Sequence, residues 1–154
     1  MTATARSKRY FEDFAVGSII EVGSFTVSEA EIIEFATRFD PQPFHIDAEA
    51  AAESIFGGII ASGWHTCSMM MRLMVDGYLR DSSSLGSPGV DEVRWLKPVR
   101  GGDILTVSSE ILESVPSASR PDRGVIFTLW QATNQHGDLV ATIKGRGMFA
   151  RRPL

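Results

Sequence analysis

The sequence predicts an α+β domain in which a five-stranded, largely antiparallel sheet surrounds one long helix. Helix caps and three-and-four apolar spacing dominate residues 28–79, and four strand-like runs fill residues 90–150. A fifth strand-like run, Ile19–Val27, precedes the helices and is rich in β-branched residues. The apolar stripe of the long helix is too broad for a solvated surface helix, so we expect the sheet to wrap it.

Length and composition predict one globular domain without nucleic-acid or membrane partners. The chain has 154 residues, of which 44% are hydrophobic and 22% are charged, as in ordinary soluble domains. A formal net charge of -4 gives no attraction to nucleic acid or to anionic membranes. No apolar run approaches membrane-spanning length, because four polar residues interrupt Ile59–Val75: Ser62, His65, Ser68 and Arg72.

The N-terminus and the cysteine content predict a cytoplasmic protein. Residues 1–9 read as a flexible arm with no apolar core of a secretory signal, and residues 10–152 as a single domain. Cys67 is the only cysteine, which excludes an intramolecular disulfide and fits a reducing compartment. Cys67 lies on the apolar stripe of the long helix, so we interpret it as a core residue, not as a nucleophile.

The first helix is predicted from a capping box, Ser28 to Glu31, in which each side chain satisfies one backbone donor. Its apolar positions follow helical spacing and predict one buried face: Ile32, Ile33, Phe35, Ala36 and Phe39. Pro41 ends this helix, because the residue before a proline is pushed out of the α region. Asp40 is therefore the last residue before an extended loop, which Pro43 is expected to keep from forming helix.

Two more helices are predicted before the strands. Asp47 is placed to cap a helix from Ala48 to about Ile55, which Gly57 and Gly58 end. The long helix runs from about Gly63 to Leu79. Its apolar stripe consists of Trp64, Cys67, Met70, Met71, Met74, Val75 and Tyr78.

The C-terminal half has the alternation and turn signals of four strands: Val90–Val99, Ile104–Val115, Val125–Thr133 and Leu139–Ala150. Glycine-rich and polar turns separate them, and the Ser82–Gly89 segment reads as a loop inside the domain. A single sheet of this size covers one side of the helix layer. Pairing with a second copy of the chain is therefore a natural way to shield the rest.

Chemistry is predicted where Asp40 and His45 lie five residues apart, shortly before the Ser62-Gly63 entry into the long helix. A carboxylate and an imidazole beside a helix N-terminus can move protons next to a carbonyl group, while backbone N–H groups hold the charge on its oxygen. Taken singly, Asp40 reads better as a turn residue at a helix C-terminus and His45 as a packed loop histidine. Together with the neighbouring prolines and glycines, they favour a functional site.

Three stretches of the sequence resemble the MaoC-like dehydratase family, the (R)-specific enoyl-CoA hydratases of the hot-dog fold: DPQPFHIDAEAA, FGGIIASGWHT and RWLKPVRGGD. The resemblance extends from about Tyr10 to Arg151. It implies a sheet wrapped around the long helix and a homodimer, or a higher homo-oligomer, with active sites between protomers. It also implies reversible hydration of a 2-enoyl-CoA to an (R)-3-hydroxyacyl-CoA, with coenzyme A as part of the substrate and no separate cofactor.

The resemblance implies that Asp40 and His45 form the catalytic pair and that the Gly63 amide points at the thioester oxygen. Glycine at this position is expected to let the thioester approach, because it has no Cβ. Six further residues are expected to contact the substrate: Gln42, Pro43, Phe44, Ser62, Trp64 and His65.

Two positions depart from the family pattern. Gln42 stands in place of the family's Asn, and Ser62 in place of the His before the oxyanion glycine. Neither change removes the acid–base pair, so we interpret them as altering the choice of substrate.

Other readings remain open. A hot-dog thioesterase and a catalytically silent acyl-binding module are the alternatives to a hydratase. No metal is expected, because three scattered histidines and one cysteine give no ligand spacing. His136 reads as a solvated turn residue. Three basic residues have the charge to meet the phosphates of coenzyme A, but in a β region they read as surface charges: Arg94, Lys97 and Arg100.

Overall fold

The computed structural model describes residues 7–154. Five antiparallel strands form one sheet in the order β1-β3-β4-β5-β2. Their bounds are β1 Ile19–Thr26, β2 Val90–Trp95, β3 Ile104–Pro116, β4 Arg123–Thr133 and β5 Leu139–Ala150. The predicted class is confirmed, with one notable shift in bounds: β2 ends at Trp95 and not at Val99.

The sheet wraps one long helix, α4 (Gly63–Met74), which continues as a π-helical turn over Val75–Leu79. The predicted end at Leu79 is confirmed. Met70, Met74 and Tyr78 are buried against the concave side of the sheet. Strand β3 contributes the alternating inward residues that period-2 geometry requires: Leu105, Val107, Ser109 and Ile111. Two members of the predicted stripe, Trp64 and Met71, are exposed. The predicted stripe is therefore broader than the face of α4 that is buried in the core.

Helix α1 (Glu29–Phe39) packs at the other side of α4. Ser28 Oγ accepts a hydrogen bond from the Glu31 N–H at 3.1 Å, so that half of the predicted capping box is confirmed. The prediction that Phe39 lies on the buried face is wrong. Its side chain is exposed and rests against the ring of Phe35 and the guanidinium of Arg38.

The prediction of an extended loop after Pro41 is also wrong. Pro43 instead begins a single helical turn, α2 (Pro43–Ile46). Proline is favoured at the first helical position, where the backbone N–H that it lacks would have no helical partner. Helix α3 (Ala48–Glu53) follows directly and ends two residues before the predicted Ile55. As predicted, Asp47 caps it, and its Oδ1 accepts from the backbone N–H groups of two residues: Glu49 and Ala50.

The N-terminal segment joins the domain at Arg9. The Arg9 N–H donates to the Asp81 carbonyl, and the Arg9 carbonyl accepts from the Ser83 N–H at 2.8 Å. Arg9, which we predicted to lie in a flexible arm, therefore pairs through its backbone with the loop after α4. The first six residues of the predicted arm, 1–6, lie outside the described part of the chain.

The central packing predicts a large difference between two isoleucines. Ile32 is 0% exposed and Ile55 is 95% exposed. We expect Ile32→Ala to lower the free energy of unfolding by about 2–5 kcal/mol, because it leaves a cavity in a close-packed core. Ile55→Ala, the matched control, should stay within about 0.5 kcal/mol of wild type. Urea denaturation measures both, and equal losses would contradict the packing described.

Candidate active site

The C-terminus of α1 and the single turn of α2 bring Asp40 and His45 together. Asp40 is the C-cap of α1, and its N–H donates to the Ala36 carbonyl at 2.8 Å. The His45 N–H donates to the Gln42 carbonyl, which fixes the start of the turn. As a result, Asp40 Oδ2 and His45 Nε2 lie 3.3 Å apart. The predicted juxtaposition is present, and the helical turn that produces it was not predicted.

The imidazole of His45 is buried and held in one orientation. Its Nδ1 lies 2.7 Å from the carbonyl oxygen of Ile60. A carbonyl oxygen only accepts hydrogen bonds, so Nδ1 must carry a proton and Nε2 is the atom free to exchange one. The ring of Phe44 packs edge-on against the imidazole and also contacts Phe56.

Both oxygens of Asp40 receive hydrogen bonds. Gln42 Nε2 donates to Oδ1 at 2.8 Å, and Ser62 Oγ donates to Oδ2 at 2.7 Å. Burial alone would raise the pKa of Asp40, but these two donors and the neighbouring His45 outweigh it and hold that pKa below its ordinary value. Gln42 and Ser62, both expected to contact substrate, therefore contact the carboxylate in this structure.

Gly63 begins α4, as predicted, but the structure gives a different reason for a glycine there. The indole of Trp95 lies against the Gly63 Cα, and a Cβ built at this position would overlap the ring. Trp95 Nε1–H also donates to the Gly63 carbonyl at 3.0 Å. The glycine thus accommodates Trp95, a residue that our sequence reasoning did not assign to the site. The two residues are 32 positions apart, so no local pattern connects them.

Two cavities flank this region. The smaller, about 370 Å³, is lined by residues of the site and of the β2–β3 connection, among them His45, Gly63, Thr66, Trp95 and Lys97. The larger, about 440 Å³, lies between α4 and the sheet and is walled mainly by apolar side chains, among them Trp64, Cys67, Met71, Val93 and Ile143. The rings of Trp64 and Trp95 meet edge-on at 5.2 Å, so their contact joins the walls of the two cavities.

The other residues predicted to contact the substrate lie in different surroundings. Pro43 is exposed at the start of α2, and Trp64 lines the larger cavity. His65 lines neither cavity. It is buried and stacks on Phe35 with the ring planes 10° apart, and burial lowers its pKa although Glu31 acts in the opposite direction. The structure therefore places His65 in the packing between α1 and α4.

The remaining candidate residues have structural partners. Cys67 is half-buried, and burial raises the pKa of its thiol. The three basic residues are engaged by other groups: Arg94 by Glu92, Lys97 by Asp138, and Arg100 by the Phe56 carbonyl. His136 lies exposed in the β4–β5 turn.

Within residues 7–154, no group of three or more His, Cys, Asp and Glu side chains is arranged to hold a metal ion. No helix in the same range has the length and apolar character needed to cross a membrane.

A five-stranded antiparallel sheet around one long helix, with a carboxylate–imidazole pair beside the first turn of that helix, defines a hot-dog domain. The chain belongs to the MaoC-like dehydratase family of this fold, since the family model described as MaoC like domain matches residues 15–123.

Similar proteins cover most of the chain. The Bacillus subtilis protein YdeM is 32% identical over 140 residues, which are 86% of this chain and 97% of YdeM. A 3-hydroxybutyryl-CoA dehydratase from Methylorubrum extorquens is 30% identical over 116 residues, which are 72% of this chain and 69% of that protein. The crystal structure of a MaoC-like dehydratase from Rhodospirillum rubrum superimposes with a TM-score of 0.86 at 42% identity, covering 94% of this chain and 99% of that one.

The contact between Gly63 and Trp95 predicts that Gly63→Ala displaces the indole. We expect the free energy of unfolding to fall by about 1–3 kcal/mol, because an added methyl group overpacks the contact. The tryptophan emission of the folded protein should shift as the indole moves. Gly58→Ala is the matched control, since a Cβ at Gly58 meets only the end of the Arg100 side chain, at 3.4 Å. Unchanged stability and emission in Gly63→Ala would show that the indole does not occupy this position.

Proposed function

We propose that this protein is a hydratase that interconverts a 2-enoyl-CoA and a 3-hydroxyacyl-CoA. The observation that carries the proposal is the 3.3 Å approach of Asp40 Oδ2 to His45 Nε2, with the imidazole fixed by Ile60, beside the first turn of α4. Membership of the MaoC-like family and the similarity to a 3-hydroxybutyryl-CoA dehydratase support the same reaction. The (R) configuration of the product rests on the family resemblance.

The pair supplies the two proton transfers that hydration needs. A water molecule held between Asp40 and His45 gives up one proton as its oxygen bonds to C3 of the substrate. The electrons of the C2=C3 double bond move onto the thioester oxygen, and C2 then takes a proton as the thioester carbonyl re-forms. The net change is addition of H to C2 and OH to C3, with no other reactant.

The developing charge on the thioester oxygen needs donors. Gly63 is the first residue of α4, where backbone N–H groups have no partner within the helix and the helix dipole is positive. We assign the Gly63 N–H to this oxygen. The thioester then lies in the smaller cavity beside His45, and coenzyme A enters as part of the substrate without any separate cofactor.

The larger cavity is suited to the acyl chain. Its wall carries Cys67 and Met71 of α4, and the side chain of Met71 is flexible enough to adapt to different chains. An apolar cavity with few polar groups favours the hydrocarbon end of a ligand over its charged end.

A homodimer is part of this proposal. Large apolar side chains lie exposed around the larger cavity and along the edge strand β2: Trp64, Met71, Val90 and Trp95. An exposed apolar patch beside an unpaired strand edge is typical of a protein interface. A second copy of the chain would cover it and close the cavity. A cytoplasmic location and a larger homo-oligomer remain predictions from the sequence.

The test is loss of the enoyl-thioester absorbance of crotonyl-CoA with purified wild-type protein. We expect Asp40→Asn and His45→Ala each to lower kcat by about 100- to 10,000-fold, because each removes a proton-transfer group. His136→Ala and Asp122→Asn are matched controls, since both residues are exposed on turns outside the site, and they should retain full activity.

Three results would overturn the proposal. The first is full activity of Asp40→Asn. The second is release of free thiol from a saturated acyl-CoA without hydration, which would indicate a thioesterase. The third is tight binding of acyl-CoA with no turnover of short, long or branched enoyl substrates, which would indicate an acyl-binding module.

A further inference from the structure

The segment Ile60–Gly63 reaches the site at three successive points. The Ile60 carbonyl holds Nδ1 of His45, the Ser62 hydroxyl holds Oδ2 of Asp40, and Gly63 opens α4. The segment is itself fixed to the domain by the Ala61 N–H, which donates to the Val99 carbonyl at 2.7 Å. The position of the Ser62 hydroxyl is therefore set by the backbone and not by the substrate.

Ser62 is 0% exposed, and its oxygen lies 2.7 Å from Asp40 Oδ2. A fully buried hydroxyl that donates to a carboxylate is not available as a nucleophile or as a direct contact for the substrate. The Ser62 hydroxyl does, however, hydrogen-bond to Asp40, the carboxylate of the candidate pair.

We propose that Ser62 is a positioning residue that, together with Gln42, holds Asp40 as an ionised carboxylate in one orientation toward His45. The hydrogen bonds of Ser62 and Gln42 to Asp40 support the positioning role by themselves. The effect of that role on catalysis rests on the proposed hydratase function.

The hydrogen-bonding capacity of the carboxyl group supports this assignment. Ser62 and Gln42 present donors, one to each oxygen of Asp40. A hydrogen bond donated to an ionised carboxylate is stronger than one donated to a neutral acid. Both contacts therefore stabilise the ionised form over the neutral acid. They also restrict rotation of the carboxylate, because each holds a different one of its two oxygens.

The groups that face Asp40 come from three elements. His45 faces it from α2, Gln42 from the link between α1 and α2, and Ser62 from the residue before α4. Of these three side chains His45 is the ionisable one, and its electrostatic interaction with Asp40 favours the carboxylate. Desolvation of Asp40 acts in the opposite direction, and the donors outweigh it.

A division of roles follows for the hydration step. With two donors on Asp40, the proton that the pair shares belongs on His45 Nε2. Asp40 then accepts the proton that leaves the water as its oxygen bonds to C3, and His45 Nε2–H delivers a proton to C2. Transfer of the proton from Asp40 back to His45 across the pair restores the starting state, so that protons and electrons balance over one turnover.

The test measures the Asp40 carboxyl directly by carbon NMR during a pH titration of the full chain, with Asp40→Asn used to assign its signal. We expect Ser62→Ala to shift the pKa of Asp40 upward, because it removes a donor to the ionised form. Gln42→Leu should shift it in the same direction, and Gln42 is exposed, so this variant preserves the core even if Ser62→Ala is poorly folded. Ser83→Ala is the matched control. This variant also removes a buried serine hydroxyl, but one that donates to the Ala150 carbonyl elsewhere in the domain. It should therefore leave the pKa of Asp40 unchanged.

Kinetics supply the second readout. In Ser62→Ala we expect kcat to fall by about 10- to 100-fold, with KM nearly unchanged, because a displaced carboxylate impairs the chemical step more than binding. The acidic limb of the kcat profile should move to higher pH, since the base must be ionised to act.

The outcomes separate this inference from the proposed function. An unchanged Asp40 pKa in both Ser62→Ala and Gln42→Leu would overturn the inference, whatever the activity. A loss of rate in Ser62→Ala without any movement of the pKa or of the acidic limb would also overturn it, because a structural defect alone gives that result. If wild type fails to hydrate enoyl-CoA but the pKa shifts appear, the positioning role stands and the hydratase proposal falls.

Discussion

The hydrogen bond from His45 Nδ1 to the Ile60 carbonyl is the contact on which the candidate site depends. It ties the single turn of α2 to the segment that enters α4, and the Ile60 N–H returns a bond to the Phe44 carbonyl at 3.2 Å. The Ala61 N–H extends the connection to Val99, in the segment between β2 and β3. Three parts of the fold thus converge on one short, buried stretch of backbone. Without this bond, neither the tautomer of His45 nor the orientation of its ring would be fixed.

The two buried histidines next to this stretch show how differently the same side chain can be used. His45 has a backbone partner for one nitrogen and a carboxylate for the other. The ring of His65 stacks flat on Phe35, and residues 7–154 provide no hydrogen-bond partner for its buried Nδ1. Burial disfavours the charged form of such a ring, and it lowers the pKa of His65. His65 therefore behaves as a planar apolar side chain in the helix packing, whereas His45 keeps the polar surroundings that proton transfer requires.

Sequence periodicity was sufficient for the strands and for the central helix, because burial on one face leaves a repeating pattern that can be read locally. It was insufficient where contacts join distant residues. Ser62 and Asp40 are 22 positions apart, and Trp95 and Gly63 are 32 apart. Pro43 was misread for a different reason: the same ring that ends a helix from within also favours the first turn of a new one. Phe39 has the spacing of a core residue, but it lies in the last turn of α1, where the chain is already leaving the core.

The strand order places β1 and β2, the two strands that border the helices in the sequence, at opposite edges of the sheet. Each obtains its partner only from the C-terminal half of the chain, β1 from β3 and β2 from β5. During synthesis, the apolar side of α4 consequently leaves the ribosome before most of its enclosing surface exists. The meander β3-β4-β5 must be made before the helix is covered, and such non-local pairing is intrinsically slow. Nascent chains of this topology therefore carry an incompletely covered helix until β5 has emerged, and in that interval chaperones have most to protect.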